Sequence, residues 1–317
     1  MTRAPRHRDH AGSGPSHGHR HGVASEADRR HLGVSLALIG GFVVVEAAVA
    51  FAVHSLALLA DAGHMVTDAA ALAGALVAAR LAGRPASGHW TYGFGRSEIL
   101  SAAANGVTLV AVGVLVLYEA VRRLIHPPVV GGTAVLVVAL AGVAVNLAAT
   151  WVLSHANRAS LNVEGAFAHI LTDLYGFIAT AAAGLVIVVT GFRRADPIAS
   201  LLVVALMARA AWSLLSAAGR VLAQAAPAEL DLEEVRRHML ELPHVHEVHD
   251  LHVWAMTTQL PVLTAHVVVD DSCFRDDHAP RILDELQLCL GDHFDVEHST
   301  FQLEAAGHRD HERGVHD

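Results

Sequence analysis

Two histidine–aspartate pairs in the sequence have the residue types and the spacing of a metal site. Asp68 follows His64 by four residues, and Asp173 follows His169 by the same interval. Residues four apart in an α-helix share a face, with Cβ atoms about 5–6 Å apart, so each pair can present an imidazole and a carboxylate to one ion. Two such faces offer two nitrogens and two oxygens, which suits tetrahedral zinc better than magnesium with its preference for six oxygens. These four residues are the candidate metal ligands.

Both pairs lie in long apolar stretches, where charged residues are costly. Of the 317 residues, 53% are hydrophobic and 17% are charged, which is typical of a protein whose main solvent is lipid. An ionised Asp at the centre of a bilayer costs at least about 2.5 kcal/mol on insertion scales, so it needs a partner or water. A hydrated cavity without metal, or hydrogen bonds between helices, are the alternatives to a metal site.

Six apolar stretches are long enough to cross a hydrocarbon core, which requires about 20 residues in a helix. They cover roughly residues 32–53, 55–79, 99–121, 133–153, 165–190 and 197–218. We therefore predict an all-α membrane domain with six transmembrane helices over residues 32–220. Arginines are more frequent on the side of the N-terminus than on the opposite side, so both termini are expected in the cytoplasm.

Polar segments flank the predicted membrane domain. Residues 1–31 are rich in Gly, Ser, Arg and His and contain no apolar stretch, so we predict a disordered tail there and a second one over residues 307–317. Residues 227–306 show helical and strand patterns in the order helix, strand, strand, helix, strand, which predicts a small α+β domain. The formal net charge of −9 argues against nucleic acid as a partner, because such a surface would be basic.

Four separated motifs resemble the zinc-transporting branch of the cation diffusion facilitator family. They are the segments 55–68, 91–100, 162–169 and 249–254, and together they span nearly the whole chain. The resemblance implies a multi-pass protein of the cytoplasmic (inner) membrane, with six helices in the lipid bilayer, a ferredoxin-like cytoplasmic domain and a homodimeric assembly. It also implies exchange of zinc for protons. Carried over residue by residue, the family's transport site falls on the two pairs, His64, Asp68, His169 and Asp173.

The resemblance further implies a metal site in the C-terminal domain. His249, His266 and His298 look like the family's ligands for a cytosolic zinc ion that stabilises the dimer. Relatives often have an Asp two residues after the last histidine, whereas Thr300 stands there in this chain. The alternative is a set of exposed strand histidines.

Further polar residues could assist the candidate site. Asp61 precedes His64 by three residues and lies on a neighbouring helix face, where it either orients a ligand, helps metal enter or pairs with an arginine. The chain also has 24 histidines, several of them in the two tails, where they fit loose capture of metal ions.

Three function classes are compatible with a buried site of this kind. An intramembrane metallohydrolase would keep an open coordination position and a general base, but here four protein ligands fill the tetrahedron and no His-Glu-x-x-His motif occurs. A membrane-anchored metal sensor would not need charged residues in two apolar spans. The site and the resemblance together favour a transporter that exports cytoplasmic Zn2+, with Cd2+ and Co2+ as further cargo, in exchange for protons by alternating access.

Overall fold

The computed structural model describes most of the chain between residues 26 and 308. The ranges are 26–52, 56–126, 132–192, 194–258, 260–275, 278–296 and 298–308, and within them the side chains of residues 50–52, 56–64, 67 and 132–135 are not described. Nearly all of the two predicted tails, and the histidines they carry, lie outside these ranges.

Six long helices make up the N-terminal two thirds of the described structure. They are α1 (Glu26–Ala52), α2 (Leu56–Ala82), α3 (Arg96–Ile125), α4 (Gly132–Ser154), α5 (Leu161–Thr190) and α6 (Ala195–Leu222). Within the residues that the structure describes, five of these helices, α1 and α3 to α6, are long and apolar enough to cross a membrane. The helix α2 is 27 residues long and packs against α1, α3 and α5 in the same bundle. Each of the six helices coincides with one of the predicted apolar stretches.

The start of α1 differs from the sequence-based boundary. The helix begins at Glu26, within the segment 1–31 that the polar composition assigned to a disordered tail. Asp28 in its first turn is buried, and its Oδ1 accepts a hydrogen bond of 2.7 Å from the backbone N–H of Asn157. This contact anchors the polar start of α1 to the loop between α4 and α5, which a composition argument could not anticipate.

Close packing and buried polar bonds join the helices around α2 and α5. Asn162 on α5 is fully buried, and its Nδ2 donates a hydrogen bond of 2.8 Å to the backbone oxygen of Ala75 on α2. Gly142 on α4 lies directly beneath the ring of Phe177 on α5. Lipid tails are as apolar as leucine, so small residues and hydrogen bonds, rather than the hydrophobic effect, hold such helices together.

The C-terminal domain has the predicted order of helices and strands. Its elements are α7 (Leu232–Leu240), β1 (Val245–Thr257), β2 (Leu260–Val269), α8 (Ala279–Phe294) and β3 (His298–Ala305), with a short 3-10 helix at Asp271–Phe274. The sheet order is β1-β2-β3, antiparallel between β1 and β2 and parallel between β2 and β3. A ferredoxin-like unit has the order βαββαβ. The described residues provide three strands in a mixed sheet, so they show an α+β domain without the strand that would precede α7.

The C-terminal domain contacts the ends of the membrane helices. Ala255 of β1 shares a small apolar cluster with Ile99 of α3 and Val221 of α6. The ring of Tyr92, in the loop between α2 and α3, lies 5.8 Å from the ring of His298. These contacts show which end of the helix bundle faces the C-terminal domain.

Candidate metal centre

The helices α2 and α5 bring three of the four predicted ligands together inside the bundle. His169 Nε2 lies 2.9 Å from Asp68 Oδ1 and 3.8 Å from Asp173 Oδ2. The side chains of Asp68 and His169 are each 3% exposed and that of Asp173 is 13% exposed. The imidazole of His169 therefore lies close to two carboxylates, and all three side chains are largely shielded from solvent.

Local geometry explains why these side chains meet. His169 and Asp173 are one helical turn apart on α5, so they share a face. Asn162 lies on α5 two turns before His169, and its hydrogen bond to the backbone of α2 holds the two helices close at that level. Asp68 in turn lies two turns before Ala75 along α2. The antiparallel pairing of the two helices thus sets Asp68 opposite His169.

Buried polar atoms in this group lack hydrogen-bond partners. Among the described side chains, neither His169 Nδ1 nor Asp173 Oδ2 has one. Buried polar atoms in native proteins are almost always paired with protein or water, and each exception calls for an explanation such as an ion. One imidazole nitrogen and two carboxylate oxygens are ligand types that zinc accepts at about 2.0–2.2 Å.

His64 and Asp61 lie on α2 before Asp68, but their side chains are outside the described part of the structure. The helix includes His64, four residues before Asp68, as the sequence spacing requires. Its role as the fourth ligand, and the supporting role of Asp61, remain predictions.

A second group of ligand types lies in the C-terminal domain. Glu304 on β3 is 3% exposed, and its Oε1 lies 2.7 Å from His266 Nδ1. Its Oε2 lies 3.3 Å from His249 Nε2. His249 and His266 are directly opposite one another on β1 and β2. Two of the three histidines expected for a cytosolic site thus meet around a buried carboxylate.

The third expected ligand, His298, lies elsewhere on the sheet. It begins β3 opposite Val262, four residues along β2 from His266, and its side chain is exposed. Four residues of strand span about 13 Å, so His298 does not join the described cluster. Glu304 lies next to His266 instead. Gln302 is directly opposite His266, and Glu304, two residues further along β3, lies diagonally across from His266. The sequence does not show the register between the parallel strands β2 and β3, and this register determines that Glu304 lies beside His266.

A bundle of apolar helices with a buried imidazole–carboxylate cluster, followed by a small α+β domain, defines an integral membrane protein that handles metal ions. Comparison with known families agrees. Residues 32–223 match the cation efflux transmembrane domain, and residues 227–306 match the cytoplasmic domain of cation efflux proteins. The chain belongs to the cation efflux, or cation diffusion facilitator, family, so it is a transporter and not an enzyme.

Several characterised relatives align over most of their length. The chain is 40% identical to the zinc transporter ZitB of Escherichia coli, covering 91% of this chain and 92% of ZitB. It is 39% identical to the metal cation efflux system protein CzcD of Cupriavidus metallidurans, over 93% and 91% of the two chains. A cadmium, cobalt and zinc/H(+)-K(+) antiporter of Bacillus velezensis is 36% identical over 92% and 93%.

Among the solved structures that match this chain is one of an isolated domain. The metal-bound C-terminal domain of the CzcD transporter is 41% identical, covering 24% of this chain and 99% of that domain, with a TM-score of 0.22.

Proposed function

We propose that this protein exports Zn2+ from the cytoplasm in exchange for protons, by alternating access at an intramembrane site. The site consists of the two helical pairs, His64, Asp68, His169 and Asp173. The observation that carries the proposal is the buried contact between His169 and Asp68, with Asp173 close to the same imidazole nitrogen. The names of the relatives, a zinc transporter and a metal–proton antiporter among them, support it.

The donor atoms favour zinc and allow related ions. Imidazole nitrogen suits zinc, whereas magnesium and calcium prefer sites built only from oxygen. Cd2+ and Co2+ accept the same mixed donors, so we include them as further cargo. The relatives named for cadmium, cobalt and zinc agree with this range.

Proton exchange follows from competition for the same ligand atoms. His169 Nε2 has a single lone pair, so it binds either a proton or a metal ion, and both carboxylates lie close to this nitrogen. Zinc binding requires a neutral imidazole and ionised carboxylates, and it therefore releases protons. Protons arriving from the opposite side of the membrane would in turn displace the ion.

The position of the site in the bundle is compatible with alternating access. The backbone N–H of Leu161, at the start of α5, donates a 3.4 Å hydrogen bond to Thr258 of the C-terminal domain. His169 lies eight residues further along α5, which places it about 12 Å inside the bundle. On this side the hydrogen bond between Asn162 and Ala75 closes the space between α2 and α5. We expect this contact to loosen when the site opens to the cytoplasm.

Assembly and orientation complete the proposal. We include α2 as the sixth membrane helix, with both termini in the cytoplasm and the protein in the cytoplasmic membrane. The C-terminal domain would join two copies in a homodimer, and the cluster of His249, His266 and Glu304 would bind a structural zinc ion there. The match to a cytoplasmic domain of cation efflux proteins supports this orientation.

Zinc-driven proton flux in proteoliposomes tests the function. Purified full-length protein is reconstituted with a zinc-sensitive dye and a pH-sensitive dye inside the vesicles, and zinc is added outside. We expect zinc entry coupled to proton exit, and loss of both in Asp173→Ala. Glu119→Ala is the matched control, because it also removes a carboxylate, one that pairs with exposed Arg122 and Arg123 near a helix end.

Each alternative has its own outcome in this assay. Zinc entry without proton exit would refute antiport. Full activity in Asp173→Ala would refute the site. If the purified protein is folded and binds zinc but produces no flux, a membrane-anchored sensor would be favoured.

A further inference from the structure

A third cluster of metal-ligand types lies at the edge of the C-terminal domain, at the opposite end of the β1–β2 ladder from the hairpin. His244, Asp270 and Cys273 each offer a ligand atom, and these atoms lie within 4.8 Å of one another. The cluster is separate from the pair His249 and His266, because His266 lies four residues, or about 13 Å, from Asp270 along the chain. None of the sequence motifs described above includes it.

Backbone contacts hold the three residues in place. His244 immediately precedes β1 and adopts a left-handed conformation with φ of 68°, which is uncommon for residues other than glycine. Its carbonyl oxygen accepts a hydrogen bond of 3.2 Å from Asp270 N–H, and the carbonyl of Asp270 accepts one of 2.9 Å from Cys273 N–H. The start of β1, the end of β2 and the 3-10 helix therefore present their side chains to one point.

Histidine side chains surround the Asp270 carboxylate. Its Oδ2 lies 2.9 Å from His244 Nδ1 and its Oδ1 lies 2.6 Å from His246 Nε2. His246 contacts the carboxylate oxygen that His244 does not, so it can orient Asp270 as supporting residues do in metal sites.

Exposure changes across the cluster in the way that an exchangeable metal site requires. Cys273 is 0% exposed and belongs to the apolar core of the domain. The side chains of His244 and Asp270 are 47% and 42% exposed, so an ion can enter from solvent. In a tetrahedral zinc site the ligand atoms are about 3.3–3.8 Å apart, given bonds of about 2.0–2.3 Å. The 2.9 Å between His244 Nδ1 and Asp270 Oδ2 would have to widen slightly to reach this range, and any separation near the 4.8 Å limit of the cluster would have to close by about 1 Å.

We propose that His244, Asp270 and Cys273 form a binding site for one thiophilic divalent cation, Zn2+ or Cd2+, distinct from the transport site. Three protein ligands leave one tetrahedral position for water, so the ion exchanges with solvent. A thiolate in the set favours zinc and cadmium over magnesium, calcium and manganese. An ion pair between the histidines and Asp270 accounts for the carboxylate, but it gives no reason for the thiol to converge on the same point.

Cobalt titration of the purified full-length protein tests this site. Co2+ substitutes for zinc, and cobalt bound to a thiolate produces a charge-transfer band in the near ultraviolet that oxygen and nitrogen ligands do not produce. The chain has only two cysteines, Cys273 and Cys289, so the control is built in. We expect the band in the wild type and in Cys289→Ser, and its loss in Cys273→Ser.

Two further variants keep the test decisive if Cys273→Ser does not fold, since its hydroxyl would enter an apolar core. Asp270→Asn removes a ligand at the exposed edge, and His246→Gln removes its support. We expect His246→Gln to weaken cobalt binding by about 10- to 100-fold at the site that gives the band, and Asp270→Asn to weaken it further. No band in the wild type, or a band that persists in Cys273→Ser or is unchanged in Asp270→Asn, would overturn the proposal. Because the readout is spectroscopic, it does not depend on whether the protein transports zinc.

Discussion

Replacing Asp68 by asparagine is the sharpest test of the intramembrane site. In the structure Asp68 Oδ1 lies 2.9 Å from His169 Nε2. The substitution preserves the size of the side chain and its ability to form this hydrogen bond, but it removes the negative charge. The helix packing should therefore survive. Only the affinity for a cation should change substantially.

The magnitude follows from the number of ligands. Binding of zinc to sites with four protein ligands contributes about 10–16 kcal/mol, or about 2.5–4 kcal/mol per ligand. Each 1.4 kcal/mol corresponds to about a factor of ten. We therefore expect Asp68→Asn to raise the dissociation constant for zinc by about 60- to 700-fold, with a matching rise in the zinc concentration required for half-maximal flux.

Calorimetric zinc titration of the detergent-purified protein measures the first quantity, and dye-loaded proteoliposomes measure the second. Asp196→Asn is the matched control, because it makes the same chemical change at the start of α6, where Asp196 Oδ2 lies 3.5 Å from Arg123. Thermal unfolding without metal checks that both variants are folded. A dissociation constant within about threefold of the wild type would refute Asp68 as a ligand, since 0.6 kcal/mol is far below the loss of one ligand.

Helix packing, the N-terminal tail and the start of α1 provide three further predictions. Gly142→Ala should destabilise the protein by about 1–3 kcal/mol, because the new Cβ would overlap the Phe177 ring; Gly33→Ala, with nothing within 4 Å of its Cβ, should have little effect in the same thermal-unfolding assay. Equal unfolding temperatures for the two variants would contradict the close contact. Deleting residues 2–24 should change the apparent zinc affinity only modestly, whereas Asp28→Ala should lower the unfolding temperature by removing the bond to Asn157. Complete loss of transport in the deletion would show that the tail histidines are essential.

The elements of both domains could be predicted from the sequence because their signals are local. A helix that crosses lipid needs an unbroken apolar stretch, and such stretches locate all six long helices to within a few residues at most ends. Alternation and helical periodicity likewise gave the order of the C-terminal domain. The spacing of His169 and Asp173 predicted a shared helix face, and the structure places them there.

Only the tertiary structure decided which residues from distant segments meet. Asp68 and His169 are 101 positions apart, and their contact depends on how α2 packs against α5. Glu304, and not His298, lies beside His266 because of the register between the parallel strands β2 and β3. His244 and Cys273 converge because the start of β1 and the end of β2 lie side by side at one end of the antiparallel ladder. Sequence periodicity reports the face on which a side chain lies, but register and helix packing depend on long-range contacts that no local pattern encodes.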